Sequence, residues 1–445
     1  MNNPSTKKLS MWARAAQIAE QTPVERNRYV DLLRALSIGA VVLGHWIIAA
    51  PGFIDGVRSM DHLLEIQPWS RWLTWVFQVM PVFFFVGGFS NGVSWDGAQK
   101  KGLRYSFWLE SRLRRLIGPV IPLVILWAVL GMIGYVMGVP HQMIKIGSQI
   151  SLVPVWFLAI YFIIVMLVPI TRAIWHKLGL WSVILPLCMA VLGDLVYFNT
   201  PYQWYGWFNY FFIWGAVHQL GYAWQQERIG GFVPSLCLAV IAATALVLLT
   251  QFGPYPISLI GVPGQEFSNT TPPKLPLIAL GLTQIGLLLA FEGPMRRWLS
   301  KARIWTATVL INGFIMPIFL WHSTVMMLMI GLCFWVFPIV FTVEPGSVQW
   351  WSFRPVWVLV YFIVMMLCLP VFMWMEKKIG GGSSKHNTGL VVIIIGLGMC
   401  GGLAVLAGLG VAGTGAFGLN WLAIGLPILG TLALSLFGKK VVAKP

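Results

Sequence analysis

Three ionisable residues, Asp31, Arg34 and His45, lie within the first long apolar stretch of the chain, RYVDLLRALSIGAVVLGHW. An ionisable side chain costs at least about 2.5–3.5 kcal/mol to insert into a bilayer core, so residues of this kind are candidates for function. On an α-helix, Arg34 and His45 are separated by about 16 Å of rise and only about 20° of rotation. We therefore expect both side chains on one helix face at different depths, where a long ligand would contact both.

Asp31 lies about 21 Å below His45 on the same helix. A catalytic dyad requires a separation of about 2.6–3.2 Å, so Asp31 cannot orient the imidazole of His45. Asp31 and Arg34 are i, i+3 neighbours, which favours an ion pair between them. We expect Asp31 to fix the side-chain conformation of Arg34.

A second intramembrane histidine, His322, occurs in the stretch NGFIMPIFLWHSTVM. Counted from the inner end of its predicted helix, His322 has a depth similar to that of His45. The two histidines would then line one pocket in the outer half of the membrane. The alternative is a hydrogen-bonded packing role, because polar side chains also join helices in membranes.

Three arginines, Arg112, Arg114 and Arg115, stand together just before the third apolar stretch. Guanidinium groups bind phosphates in a bidentate manner, so this cluster is a candidate phosphate site. Cytoplasmic loops of membrane proteins are also rich in basic residues, and that tendency alone explains the cluster. Both interpretations remain open from the sequence.

The elements that must position these residues are membrane-spanning helices. The chain is 58% hydrophobic and only 10% charged, which leaves too little polar surface for a soluble protein of 445 residues. A span needs about 20 apolar residues. Twelve such runs are found, and they lie near residues 30–50, 73–95, 116–138, 153–171, 180–198, 204–224, 230–251, 275–291, 304–330, 353–375, 389–411 and 417–437. A re-entrant piece within residues 304–340 is an alternative to a simple span there.

The distribution of basic residues predicts the orientation of the spans. With the N-terminus in the cytoplasm, most Lys and Arg residues fall on the cytoplasmic side, and both termini lie there. The exceptions are Arg34 within the first span and Arg58, Arg71, Lys145, Lys274 and Arg354 on the other side. Because the basic residues are dispersed over short loops, the net charge of +16 reflects this topology and not nucleic-acid binding. The five cysteines lie in apolar runs without metal-like spacing, so neither a disulfide framework nor a metal site is predicted.

The predicted fold is an all-α polytopic membrane helix bundle with about ten core helices and a C-terminal two-helix hairpin. We divide the chain into a cytoplasmic tail (1–28), a transmembrane domain (29–378), a linker (379–388) and an appended hairpin with a basic tail (389–445). The linker contains Gly380, Gly381 and Gly382. The tail shows no cleavable signal sequence. The small residues of the hairpin permit close helix packing, either within the bundle or against a partner membrane protein.

Taken in order, these motifs resemble those of the integral membrane acyltransferases called acyltransferase family 3, which O-acylate envelope carbohydrates and lipids. The resemblance covers about residues 25–376 and rests on Arg34-x10-His45, Arg112-x-Arg114, MPVFFFVGGFSNG, PVWFLAIYF and PIFLWH. The family usually has Ser-Gly-Phe or Ser-Gly-Tyr in its second span, whereas this chain has Gly87-Gly88-Phe89 followed by Ser90 and Asn91. That difference puts the role of this segment in doubt. The family offers no explanation for the hairpin.

The resemblance implies a bacterial inner-membrane enzyme that takes an acyl group, most simply acetyl, from cytoplasmic acyl-CoA, with no other cofactor. The acceptor would be a hydroxyl of an extracytoplasmic sugar or glycolipid, and similarity to actinobacterial members suggests trehalose monomycolate. His45 would be the general base, by direct transfer or through an acyl-histidine. Donor binding would involve Arg34, Arg112, Arg114 and Arg115, with Asp31 in support, and candidates for the acceptor pocket are His322, Asn91, Asn312 and Trp156. A lipid flippase and a non-catalytic scaffold of an envelope-lipid export complex are the alternatives.

Overall fold

The computed structural model describes residues 10–23, 25–54, 56–379 and 389–436, and these residues form a helical bundle with one small β-hairpin. Four short 3-10 helices lie at Pro68–Leu73, Gln203–Phe208, Pro338–Phe341 and Ala416–Gly418. The α-helices are α1 (Met11–Glu20), α2 (Arg28–Ile48), α3 (Leu63–Ile66), α4 (Thr74–Phe77), α5 (Met80–Lys100), α6 (Tyr105–Ile117), α7 (Val120–Val136), α8 (His141–Leu152), α9 (Val155–Met166), α10 (Val168–Leu178), α11 (Trp181–Asn199), α12 (Asn209–Gln225), α13 (Phe232–Phe252), α14 (Leu275–Ala290), α15 (Glu292–Leu299), α16 (Ala302–Val336), α17 (Val348–Ile379), α18 (Gly389–Leu409) and α19 (Trp421–Leu436).

Among the described residues, seven helical segments are long and apolar enough to cross a membrane, and three bent helix pairs raise this number to ten. The pairs α6–α7 and α8–α9 bend by 42° and 47°. Pro119 and Pro154 lie at these two breaks, where proline removes a backbone donor from the helix ladder. The predicted spans 204–224 and 417–437 correspond to the shorter helices α12 and α19. The predicted all-α polytopic bundle is confirmed.

Helix α16 is continuous over 35 residues, although it contains Pro317. It starts at Ala302 and ends at Val336, so it is longer at both ends than the predicted span of 304–330. The alternative of a re-entrant segment is wrong for this part of the chain, because the helix continues to Val336 before a 3-10 turn begins at Pro338. His322 therefore lies in the interior of a long, regular helix.

Helix α2 carries Asp31, Arg34 and His45, and both of its ends are fixed by specific contacts. Asn27 caps the first turn, where its side chain accepts a hydrogen bond from the backbone N–H of Tyr29. At the other end the chain enters an antiparallel hairpin of β1 (Ala49–Ile54) and β2 (Val57–His62), which the sequence did not predict. Ala49 pairs with His62 across this hairpin, so His62 returns to the end of the helix that carries His45.

The C-terminal hairpin, α18 and α19, packs against the rest of the bundle. A Cβ atom on Gly396 of α18 would lie 2.7 Å from the ring of Phe162 of α9. Helices α18 and α9 therefore approach closely because position 396 is a glycine. Arg114 of α6 donates hydrogen bonds to Leu434 and Ser435 of α19. The predicted linker residues 380–388 lie outside the described residues.

Candidate active site

His45 and His322 form a direct contact between α2 and α16. Nδ1 of His45 lies 2.8 Å from Nε2 of His322, and the two rings are nearly parallel, with 10° between their planes and 5.1 Å between their centroids. His322 is fully buried, whereas His45 keeps part of its surface accessible. The structure thus brings together the two histidines for which the sequence predicted a similar depth.

Two further groups contact the ring of His322. Its Nδ1 lies 2.7 Å from the carbonyl oxygen of Phe319, one turn earlier on α16. The hydroxyl oxygen of Ser323 lies 3.1 Å from its Nε2, the same nitrogen that meets His45. The indole N–H of Trp46 donates to the carbonyl oxygen of His322 at 3.2 Å and so joins the two helices beside the pair.

Arg354 of α17 holds the end of α2 that follows His45. This arginine is 4% exposed, and its guanidinium donates to the carbonyl oxygens of Trp46, Ile47 and Ala49. The last carbonyls of a helix lack intrahelical partners and carry partial negative charge, so a buried cation is favourable there. The sequence places Arg354 at the start of an apolar run, which indicates a buried position. The distribution of basic residues over the loops treated it only as a loop residue.

His62 of β2 is a third histidine near this site, because it pairs with Ala49 at the end of α2. Burial lowers the pKa of His62 from 6.5 to about 4, so its imidazole is uncharged near neutral pH. His62 therefore adds no charge at the end of α2 that follows His45. The sequence alone does not show this neighbour, because it depends on the return of β2 to the end of α2.

A cavity of about 1270 Å³ opens at the other end of α2, which is the end predicted to face the cytoplasm. It is large enough for a nucleotide-sized ligand. Four of its lining residues are arginines and four are acidic, namely Arg26, Arg34, Arg115, Arg296, Glu25, Asp31, Glu227 and Glu292. The wall of the cavity thus combines cations that suit phosphates with carboxylates that suit hydroxyl and amine groups.

Asp31 forms the predicted ion pair with Arg34, but it has a closer partner. Arg26 binds its carboxylate with two hydrogen bonds of 2.7 and 3.0 Å, and the carboxylate in turn raises the pKa of Arg26. Arg34 reaches the same carboxylate only at 3.9 Å, and its side chain remains 39% exposed. Arg26 lies in the loop before the helix, where sequence spacing gives no geometry. The main partner of Asp31 is therefore Arg26, which leaves the Arg34 guanidinium available to the cavity.

The three clustered arginines are not a single clamp. Arg115 lines the cavity. Arg114 instead forms an ion pair of 2.9 Å with Glu110 and donates to the carbonyl oxygen of Leu434, so its guanidinium is directed to the C-terminal hairpin. Arg112 donates to the hydroxyl of Ser94. The predicted donor-binding role of Arg114 does not fit this geometry.

The predicted acceptor residues have different partners. Asn312 donates to the backbone carbonyl of Asp31 at 3.0 Å, which places it near the opposite end of α2. Trp156 packs edge to face on Phe157. Of the four candidates for an acceptor pocket, His322 is the one that has a hydrogen bond and a ring contact with His45 among the described residues.

Asn91 belongs to a buried polar cluster with Tyr161 and His218. Its amide nitrogen lies 3.1 Å from the hydroxyl of Tyr161 and 3.1 Å from Nε2 of His218. Close packing of α5 and α12 brings these groups together, because a Cβ on Gly221 would lie 2.5 Å from the backbone nitrogen of Phe89. The Tyr161 hydroxyl also lies within electrostatic reach of the positive charges of Arg34, Arg112 and Arg115. Tyr161 was not among the residues predicted for the site.

Comparison with known families identifies the family of the chain. A family model described as an acyltransferase domain matches residues 27–371, which include both histidines, Arg34, Arg115 and Arg354 and exclude the C-terminal hairpin. Searches of curated proteins and of solved structures give no match. The family match covers well over half of the chain. The chain therefore belongs to acyltransferase family 3 and is a membrane acyltransferase.

Proposed function

We propose that the protein transfers an acyl group, most simply acetyl, from cytoplasmic acyl-CoA to a hydroxyl of a sugar or glycolipid beyond the membrane, with His45 as the general base. The observation that carries the proposal is the arrangement of α2. This helix ends in a cavity lined by four arginines and four acidic residues on one side, and it carries His45, a partly exposed residue, about 16 Å further along. A donor with a charged head and a reactive tip matches both ends.

The composition of the cavity supports coenzyme A as the carrier. Arg34, Arg115 and Arg296 line it, and guanidinium groups bind phosphates with paired hydrogen bonds. Glu25 and Glu227 supply acceptors suited to the amine and hydroxyl groups of a nucleoside. The size of the cavity leaves room for the whole nucleotide of coenzyme A. Only its flexible pantetheine arm would then extend between the helices toward His45.

The chemistry requires one proton acceptor at the far end of the arm. The acceptor hydroxyl attacks the thioester carbonyl while His45 takes its proton, the carbon–sulfur bond breaks, and the proton passes to the leaving thiolate. An acyl-histidine route uses the same imidazole twice, with the same balance of atoms. Acylated trehalose is one acceptor of the proposed class, and the bacterial inner membrane is the proposed location. Both rest on the resemblance of the second span to actinobacterial members.

The proposal is tested with purified protein in liposomes, labelled acetyl-CoA inside, and a sugar or glycolipid acceptor such as trehalose monomycolate outside. We expect His45→Ala to lower the acylation rate by about 100-fold or more, the usual contribution of a general base. His176→Ala is the matched control, because His176 is exposed and lies far along the chain from the site. If His45→Ala is produced normally and acylates at the parental rate, the role proposed for His45 is wrong.

Donor binding is tested separately from turnover. We expect the double variant Arg34→Ala, Arg115→Ala to lose affinity for labelled acetyl-CoA by about tenfold or more, since each guanidinium–phosphate contact is charge-assisted. Arg104→Ala is the control, because Arg104 is exposed just before α6, the helix that carries the arginine cluster, but does not line the cavity. Equal binding by the double variant and the control would place the donor elsewhere.

A further inference from the structure

A chain of two contacts runs from the backbone of α16 to His45. The carbonyl oxygen of Phe319 lies 2.7 Å from Nδ1 of His322, and Nε2 of His322 lies 2.8 Å from Nδ1 of His45. Both separations are those of hydrogen bonds. Nε2 of His45 is the one ring nitrogen of the pair that these contacts leave unused, and His45 is the member of the pair with accessible surface.

The protons in this chain can be assigned from the types of the groups. A carbonyl oxygen only accepts hydrogen bonds, so Nδ1 of His322 must carry a proton. A neutral imidazole has a single N–H, and Nε2 of His322 is then an acceptor. The partner nitrogen, Nδ1 of His45, has to donate. In its neutral form His45 therefore has no proton on Nε2.

The hydroxyl of Ser323 does not change this assignment. It lies 3.1 Å from Nε2 of His322 and can share the same lone pair as a second donor. The opposite assignment requires a doubly protonated His322 that donates to His45. His322 is 0% exposed, and burying an imidazolium there carries a large desolvation cost.

We propose that His322 is a positioning residue that holds neutral His45 in the Nδ1–H tautomer, so that Nε2 is the nitrogen that takes the proton from the acceptor hydroxyl. The proposal rests on the proposed function of His45 as general base. A buried carboxylate performs the same task for the histidine of serine hydrolases. Here a neutral imidazole, oriented by the Phe319 carbonyl, replaces the carboxylate. When His45 is protonated, its Nδ1–H still donates to His322, so the intermediate imidazolium keeps a hydrogen-bond partner.

The assignment is tested directly by ¹⁵N solid-state NMR of histidine-labelled protein in liposomes, with the His45 signals identified by their absence in His45→Ala. At a pH where His45 is neutral, we expect Nδ1 protonated and Nε2 unprotonated. We expect His322→Ala to abolish this preference and give a mixture of tautomers. A parental His45 with its proton on Nε2 would overturn the proposal. This readout needs no turnover, so it stands even if the acyltransfer experiment fails.

Kinetics then test whether the tautomer matters. We expect His322→Ala to lower kcat by about 100-fold, with KM for acetyl-CoA unchanged, because the donor cavity is at the other end of α2. His322→Gln places an amide oxygen near the position of Nε2 and can accept from His45, so we expect it to retain at least about ten times the kcat of His322→Ala. Acetyl-CoA binding by both variants shows that they are folded. Equal kcat for the parent and His322→Ala, or for the Gln and Ala variants, would contradict a positioning role.

Discussion

The most direct prediction about the region around His45 concerns the stability of the protein in acid, through His62. Its pKa is about 4 in the folded protein against an ordinary value of 6.5, because the ring is buried when β2 closes on the end of α2. The unfolded chain therefore binds this proton more readily, and stability is lost as the pH falls from 6.5 toward 4. A difference of about 2.5 pKa units at about 1.4 kcal/mol each gives about 3.5 kcal/mol in total. Most of this, about 2 kcal/mol, is lost between pH 7 and pH 4.5.

The perturbation is His62→Gln, which removes the titrating ring and keeps a polar side chain of similar length. Unfolding free energies in mixed detergent micelles are measured at pH 7 and pH 4.5 for the parent and the variant. We expect the parent to lose about 2 kcal/mol more than His62→Gln across this interval. His176→Gln, a substitution at an exposed histidine, is the control and should follow the parent. If His62→Gln and the parent lose the same free energy, the reasoning from the burial of His62 is refuted.

Two further substitutions test the packing around the site. Gly87→Ala should destabilise the protein by about 1–3 kcal/mol and displace Tyr161, since a Cβ at position 87 would lie 2.5 Å from the tyrosine ring. Gly97→Ala on the same helix is the control, because a Cβ there meets nothing within 4 Å. Equal thermal stability of the two variants would contradict the close contact. Arg354→Met should cost about 1–3 kcal/mol and reduce acylation, because three carbonyls at the end of α2 lose a charged donor while the cost of burying the guanidinium is relieved. Arg354→Lys keeps the charge without the planar guanidinium, so its thermal stability and its acylation rate should lie between those of Arg354→Met and the parent. A fully stable and active Arg354→Met would show that the contact is dispensable.

The helical bundle was predictable because the length of a span is set by the bilayer and can be counted from apolar residues. The depth of His322 relative to His45 followed from the same count, since each helical residue advances the chain by about 1.5 Å. The β-hairpin after α2 was missed. Its strands lack the alternation of apolar and polar residues that marks a strand. The sequence nevertheless carries a signal for it, because Pro51-Gly52 interrupts the helical pattern and Asp55-Gly56 has the composition of a two-residue hairpin turn.

Side-chain partners were much less predictable than depth. The i, i+3 spacing of Asp31 and Arg34 is real, but a loop residue, Arg26, reaches the carboxylate more closely. Arg114 and Arg115 are adjacent in sequence and lie at different sites, because neighbouring residues on a helix point about 100° apart. Arg115 faces the cavity, and Arg114 contacts a helix more than 300 residues later. The spacing of residues on a helix predicts the direction of a side chain. The partner that the side chain contacts in that direction depends on the tertiary fold.

The contact between Arg114 and α19 has a consequence for how the protein is made. The ribosome delivers membrane helices in chain order, and Arg114 emerges 320 residues before its partner Leu434. Through most of synthesis helix α6 therefore lacks one of its hydrogen-bond acceptors, and insertion of the final hairpin supplies it. A nascent chain interrupted before α19 leaves Arg114 without the Leu434 carbonyl. Helix α6, which also carries the cavity residue Arg115, thus reaches its final set of contacts only when the C-terminal hairpin is in place.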